Sequence, residues 1–201
     1  MMVTSKSRIT TLLALFLIFS IALGVFLIAL GLFDPIEKDK PIWQKTLTPI
    51  RVTSQSIKVS WLKEALPQSP YSIRVTGNFD SGEMDSAFGL VLSQTNEHIV
   101  VMVSPLGYVS IWHAPSLANK NSRDYYLPWQ TWPHISAGDS ENEIYARVNG
   151  DKLSIRINRE WLWDIDGIDQ IDGFGIIGES FGEETTIDFH LAELSAIDTR
   201  K

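Results

Sequence analysis

The sequence predicts an all-β domain, a sandwich or barrel, carried behind one long apolar helix. Three observations predict it. Residues 141–163 read as a hairpin, with Ile144, Ala146 and Val148 alternating with polar residues before Asn149-Gly150 and Leu153, Ile155 and Ile157 alternating after it. Elsewhere, roughly ten short segments (by period-2 reading) are separated by turn residues, with no amphipathic helix between them. Finally, Ile9 to Phe33 runs without a charged residue.

That run, as a helix, spans ~37 Å against a hydrocarbon core of ~30 Å, so it can cross a bilayer with some tilt. Lys6 and Arg8 before it also fit the basic start of a signal peptide, and Ala29-Leu30-Gly31 a small-x-small cleavage site. The run exceeds the ~7–15 residues of a usual signal-peptide core, which favours a retained signal-anchor. Lys38, Lys40 and Lys45 follow the span, so positive charges alone do not orient it, and the short basic tail sets the expectation of N-in with the domain outside. Ser20, Gly24 and Gly31 would share one helix face, as ordinary small residues or as a seat for a second helix. The expected boundaries are a basic tail over 1–8, a transmembrane helix over 9–33, a linker over 34–47 and the β domain over 48–197. Pro35 and Pro41 mark the linker, and Trp43 sits where an interfacial aromatic would.

Within the β domain, Ile57, Val59 and Trp61 keep step, as do Tyr71, Ile73 and Val75. Ala87–Leu92 and Ile99–Val103 are continuous apolar runs, the pattern of strands covered on both faces. Tyr108–Trp112 alternates, and residues 114–138 read as a polar, proline-containing loop. In the hairpin a two-residue loop at Asn149-Gly150 sets Ala146 opposite Leu153, Ile144 opposite Ile155 and Glu143 opposite Arg156. An acidic turn follows, then Phe174–Gly178, then Thr186–Leu194.

Charge and composition exclude several functions. The chain carries 17 basic and 24 acidic residues. Two of the basic residues and none of the acids lie in 1–33, leaving 15 against 24 beyond it, a charge of −9. Such a domain is poorly suited to nucleic acid, where phosphate binding is a Lys/Arg effect. With no cysteine there is no disulfide, thiol nucleophile or thiolate metal site.

Several segments occur in an order found in one known group: Gly107-Tyr108-Val109-Ser110-Ile111, Trp129-x-x-Trp132-Pro133-His134-Ile135-x-x-Gly138, Asn142-x-Ile144, Gly150-x-x-Leu153-x-Ile155-x-Ile157-Asn158, Gly173-Phe174-Gly175-Ile176 and Ile187-Asp188-Phe189. Residues 48–197 thereby resemble the concanavalin A-like lectin/glucanase jelly-roll superfamily, akin to the laminin G-like and 3-keto-disaccharide hydrolase-like domains of bacterial surface proteins. The resemblance implies two antiparallel sheets packed face to face, often binding glycans. Arg159 stands where that group often has a turn glycine.

Each group of candidate residues also has a plainer packing or solvation role. Glu83-Met84-Asp85 begins the Glu-x-Asp-x-x-Glu spacing of β-glucan-cleaving relatives, but Phe88 takes the last place. That acid pair, and Glu179, Glu183 and Glu184, read as solvated turn acids, so no catalytic residue is expected. Asp164, Asp166 and Asp169, with Asp172, could ligate a structural Ca²⁺ through oxygen, yet lack the order of a calcium loop and read better as a turn. The histidines lack metal-ligand spacing. Trp112, Tyr125, Tyr126, Trp129, Trp132 and His134 form the candidate ligand-binding set, because aromatic rings stack on sugar faces. Trp129 and Trp132 could equally pin their loop to the core, while Trp161 and Trp163 read as sheet-packing strand residues. The expectation is a membrane-anchored, extracytoplasmic recognition module for carbohydrate, without a cofactor; an accessory subunit with a protein partner is the alternative, and a glycosidase the third.

Overall fold

The computed structural model describes residues 4–29 and 40–197, which fall into two units taken here separately. The first holds the helix α1, Thr4–Ala29, with side chains described from Leu12 to Ile28. Leu15, Phe16, Leu17, Ile18 and Phe19 follow one another and are all exposed; at 100° per residue they point in every direction around the axis. Among the described residues no helix is long and apolar enough to cross a membrane. Gly31, the rest of the predicted span and the first part of the predicted linker, residues 34–39, lie outside the described residues.

The second unit is the β domain. Its strands are Lys40–Thr46 (β1), Ile50–Val52 (β2), Ile57–Leu62 (β3), Tyr71–Gly82 (β4), Ser86–Gln94 (β5), His98–Val103 (β6), Tyr108–Ala114 (β7), Asp124–Thr131 (β8), Asn142–Asn149 (β9), Lys152–Ile157 (β10), Glu160–Asp166 (β11), Ile171–Ser180 (β12) and Thr185–Ala196 (β13). A seven-stranded sheet runs β1-β13-β4-β9-β10-β11, with β2 also on β13, and a six-stranded sheet runs β3-β12-β5-β6-β7-β8. Every pairing is antiparallel. The predicted two-sheet sandwich is therefore the fold.

Side-chain parity builds the core between the sheets. Ile144, Ala146 and Val148 of β9 meet Leu153, Ile155 and Ile157 of β10 on the inner face, all buried, and Phe88 packs edge-on to Phe189 at 5.9 Å from the opposite sheet. A second buried cluster lies on the outer face of the six-stranded sheet, around Trp112, Val100, Val91 and Ile177. It explains why β5 and β6 read as continuous apolar runs: both their faces are covered.

Four expectations need correction. The hairpin turns at Gly150-Asp151, with Asn149 opposite Lys152, so Leu153 faces Val148 and Ile155 faces Ala146. The shift is by an even count, which keeps every apolar residue inward. Gly150 has φ +64 at the first turn position, the place a II′ turn reserves for glycine, and its N–H donates to the Ser69 hydroxyl at 2.7 Å. Glu143 consequently lies beside Arg74 at 3.5 Å, while Arg156 faces Tyr145. Second, Lys40–Thr46 is not linker but an edge strand on β13, and Trp43 packs edge-on to Phe174 at 5.9 Å rather than standing as a membrane-interface aromatic. Third, residues 114–138 are not one loop, since β8 lies inside them; Pro128 is tolerated there because β8 is an edge strand. Fourth, Trp161 and Trp163 lie on the edge strand β11 and stay substantially exposed. The expected glycine turn after β10 is built from Asn158 and Arg159, both left-handed at φ +51 and +75.

Candidate functional site

The outer face of the six-stranded sheet gathers most of the candidate aromatics. Strand register lines Trp61, Gly175, Val91, Val100, Trp112 and Tyr125 into one row across all six strands. Its middle is buried, and its two ends differ.

At one end, Trp61 of β3 reaches over its neighbour. A Cβ on Gly175 would come 2.7 Å from the Ser60 carbonyl oxygen, 3.1 Å from the Trp61 Cα and 3.2 Å from the Trp61 ring, so the glycine leaves room both for the backbone of β3 and for the indole beside it. The ring comes within 5.6 Å of the His98 ring, although β12 and β5 stand between β3 and β6, a Cα separation of roughly 14 Å. Trp61 keeps 43% exposure in this pose. Partial burial pulls the His98 pKa below the usual imidazole range, against the raising effect of Asp172 and Glu97. His98 is therefore neutral near pH 7, with Nδ1 buried and without a hydrogen-bond partner among the described residues.

At the other end the β7–β8 connection folds over the face. Asn119 caps a single 3-10 turn, Lys120–Ser122, by accepting from the Asn121 N–H at 3.1 Å. Side chains three apart eclipse in such a turn, so Lys120 and Arg123 point the same way. Both reach Glu179 of β12: Lys120 Nζ and Arg123 Nη2 each lie 2.9 Å from Oε1. The Arg123 guanidinium stacks 4.3 Å over the Trp112 ring. Lys120 Nζ sits 5.4 Å from the Phe181 ring, which Trp129 meets edge-on at 5.8 Å. Glu179 is wholly buried. Its Oε2, the Arg123 Nε–H and the Trp112 Nε1–H have no partner among the described residues.

The structure thus brings Trp112, Tyr125 and Trp129 of the predicted set onto one face and sends the others elsewhere. Tyr126 stacks on His113 at 4.7 Å, whose Nδ1 bonds Glu97 at 2.7 Å. Trp132 packs against the inter-sheet core, and exposed His134 lies beside it, its carbonyl accepting from Asn158 at 2.7 Å. Asp164 faces Lys152 at 3.0 Å and accepts from the Trp161 indole; Asp166 lies 3.9 Å from the same lysine, and Asp169 offers its carbonyl to Gln94. Those three aspartates do not converge. Glu83 accepts from the Glu183 N–H and Glu184 pairs with Arg51, as turn acids do. Glu179 is the exception: it is a buried strand residue, not a turn acid. Its signal was legible in Ile177-Gly178-Glu179-Ser180-Phe181, where a charge takes an apolar phase position.

In sequence, no family model and no curated protein matches the chain. In structure, it is similar to the exoplasmic/lumenal domain of VIP36, solved in a Ca²⁺/Man3GlcNAc-bound form, with TM-score 0.51, 13% identity, and coverage of 79% of this chain and 83% of that one. It is also similar to an endo-acting O-glycanase of human gut bacteria that initiates mucin breakdown, at TM-score 0.53, 6% identity, and 75% and 79% coverage. A third is LamAcat of Zobellia galactanivorans, at 0.51, 7%, 74% and 76%. At these identities the likeness shows the fold, a concanavalin A-like jelly-roll sandwich.

Proposed function

We propose that the sandwich is a non-catalytic carbohydrate-recognition module, with the outer face of the six-stranded sheet as its binding face. The observation that carries this reading is Trp61: an indole packed beside Gly175, partly open to solvent, next to the His98 ring. A sugar ring has an apolar face to stack on such an indole and hydroxyls to bond a neutral ring nitrogen. VIP36, which shares the fold, was solved with a bound mannose-containing glycan, which favours the same ligand class. Binding rather than cleavage is favoured because Glu179 is buried beneath Lys120 and Arg123, away from any bond lying on the surface.

A glycan array probed with the full chain tests this. Trp61→Ala is expected to remove binding, by at least tenfold in Kd, while thermal stability changes little, since the indole is only half buried. Unchanged binding in that variant, or an array without a single hit, overturns the reading and favours the accessory-subunit alternative.

We further propose that α1 anchors the module, N-terminus inside and sandwich outside. The support is a 25-residue uncharged stretch and a helix whose large apolar side chains are exposed in every direction, a distribution that water does not favour. Protease added to intact cells should then digest the sandwich; protection equal to that of a cytoplasmic control would reverse the orientation.

A further inference from the structure

We propose that the position now held by the Lys120 ammonium is a binding site for a primary ammonium carried on a sugar ring, a 2-amino-2-deoxy pyranose, which enters by displacing Lys120 from Glu179. This rests on the carbohydrate reading for the ligand class, but it concerns a place four residues along β12 from Gly175, the strand partner of Trp61.

The two cations on Glu179 are not equivalent. Arg123 is 4% exposed and stacked on Trp112, so it belongs to the interior. Lys120 is 47% exposed, comes from a single 3-10 turn, and holds its place through Glu179 Oε1 and the face of Phe181. An ammonium between a carboxylate and an aromatic face is an arrangement that recognises amines. Exchanging one ammonium for another leaves the net charge of the buried cluster unchanged, and Arg123 keeps Glu179 paired throughout.

The polar atoms without partners specify what else the ligand brings. Glu179 Oε2 needs a donor, whereas the Arg123 and Trp112 N–H groups need acceptors. A hydroxyl supplies both functions, and a sugar carries several beside its amine. A simple polyamine supplies donors alone and leaves the two N–H groups unmet.

Lys120 is a tethered competitor, present at an effective concentration in the millimolar range. Removing it should therefore raise affinity for the true ligand. The test is calorimetry on the full chain in a polyoxyethylene detergent, which carries neither sugar nor ammonium. The probes are a β-1,4-linked glucosamine tetramer at a pH that protonates it, its N-acetylated counterpart, and spermidine. Lys120→Gln is expected to tighten glucosamine-tetramer binding at least tenfold, to leave the N-acetylated tetramer unchanged, and to change spermidine binding less than threefold. Equal affinity of wild type and Lys120→Gln for the glucosamine tetramer overturns the proposal. An equal gain for spermidine overturns the sugar part of it. Repeating the series in Trp61→Ala separates the two readings: a gain that persists there supports the ammonium site even if the Trp61 platform fails, and a gain that vanishes there overturns a separate site.

Discussion

Replacing Arg123 by alanine is expected to lower the stability of the sandwich by about 3 kcal/mol, the lower end of what breaking a buried ion pair costs. Glu179 is wholly buried, and Arg123 is the interior partner of its carboxylate. Without the guanidinium, Oε1 keeps Lys120 alone while Oε2 stays unpaired as before, and Trp112 loses the planar cation stacked 4.3 Å above it. Urea unfolding of the two proteins measures the difference. Lys120→Gln should cost well under 1 kcal/mol, because its side chain is half exposed and an exposed pair contributes little. The double variant Arg123→Met with Glu179→Leu should return close to wild type, since apolar replacement of a buried pair is often neutral. If the single variant were as stable as wild type, Glu179 would have to be hydrated in solution, and the closed end of the face would not exist as described.

The same cluster shows where reading the residues worked and where it did not. Interior strands were legible because both sides of each are fixed by neighbours: β9 and β10 alternate, and β5 and β6 each carry a continuous apolar run. The edge strands β1 and β8 were not. β1 carries Lys40, Pro41 and Lys45, and β8 carries Asp124 and Pro128; charge and proline are what keep a free edge from pairing with another chain, and they are also what makes a strand look like a loop. The hairpin turn was displaced for a tertiary reason, the Ser69 hydroxyl that receives the Gly150 N–H from 81 residues away. The candidate face failed differently. Trp112 and Trp129 were found by residue type, but Glu179 looked like a turn acid because glycines flank it on either side, and Trp61 looked like an ordinary in-phase strand residue. What singles out Trp61 is the absence of a side chain at Gly175 on the neighbouring strand, a pairing only the sheet order reveals.

The motifs that carry the resemblance also have a physical role in the fold. Asn142 and Asn158, both part of those motifs, are hydrogen-bonded to one another, Asn158 Nδ2 donating to Asn142 Oδ1 at 2.8 Å. Asn142 Oδ1 also accepts from the Ser136 N–H, and its Nδ2 donates to the carbonyls of Ser136 and Ser140. Asn158 in turn accepts from the Glu143 N–H at 2.7 Å and donates to the His134 carbonyl. Two side chains thus satisfy the backbone of the 134–140 segment and seat Trp132 and Ile135 against the core. Asn142 is 2% exposed, so water cannot readily replace it. Asn142→Ala should leave the Ser136 N–H and C=O and one Asn158 donor unmet, at about 1–3 kcal/mol for each buried group left unsatisfied. Allowing for partial relaxation of the loop, a total loss of about 3 kcal/mol is expected, seen as a fall in Tm of about 6–12 °C for a domain of this size. Trp132 should become more solvent-accessible in the variant, measurable as increased acrylamide quenching of the summed tryptophan fluorescence, whereas Trp61→Ala should leave Tm near wild type. A fall in Tm of only a degree or two for Asn142→Ala would mean that the segment is held by Trp132 and Ile135 alone, with the paired asparagines contributing alignment and little stability.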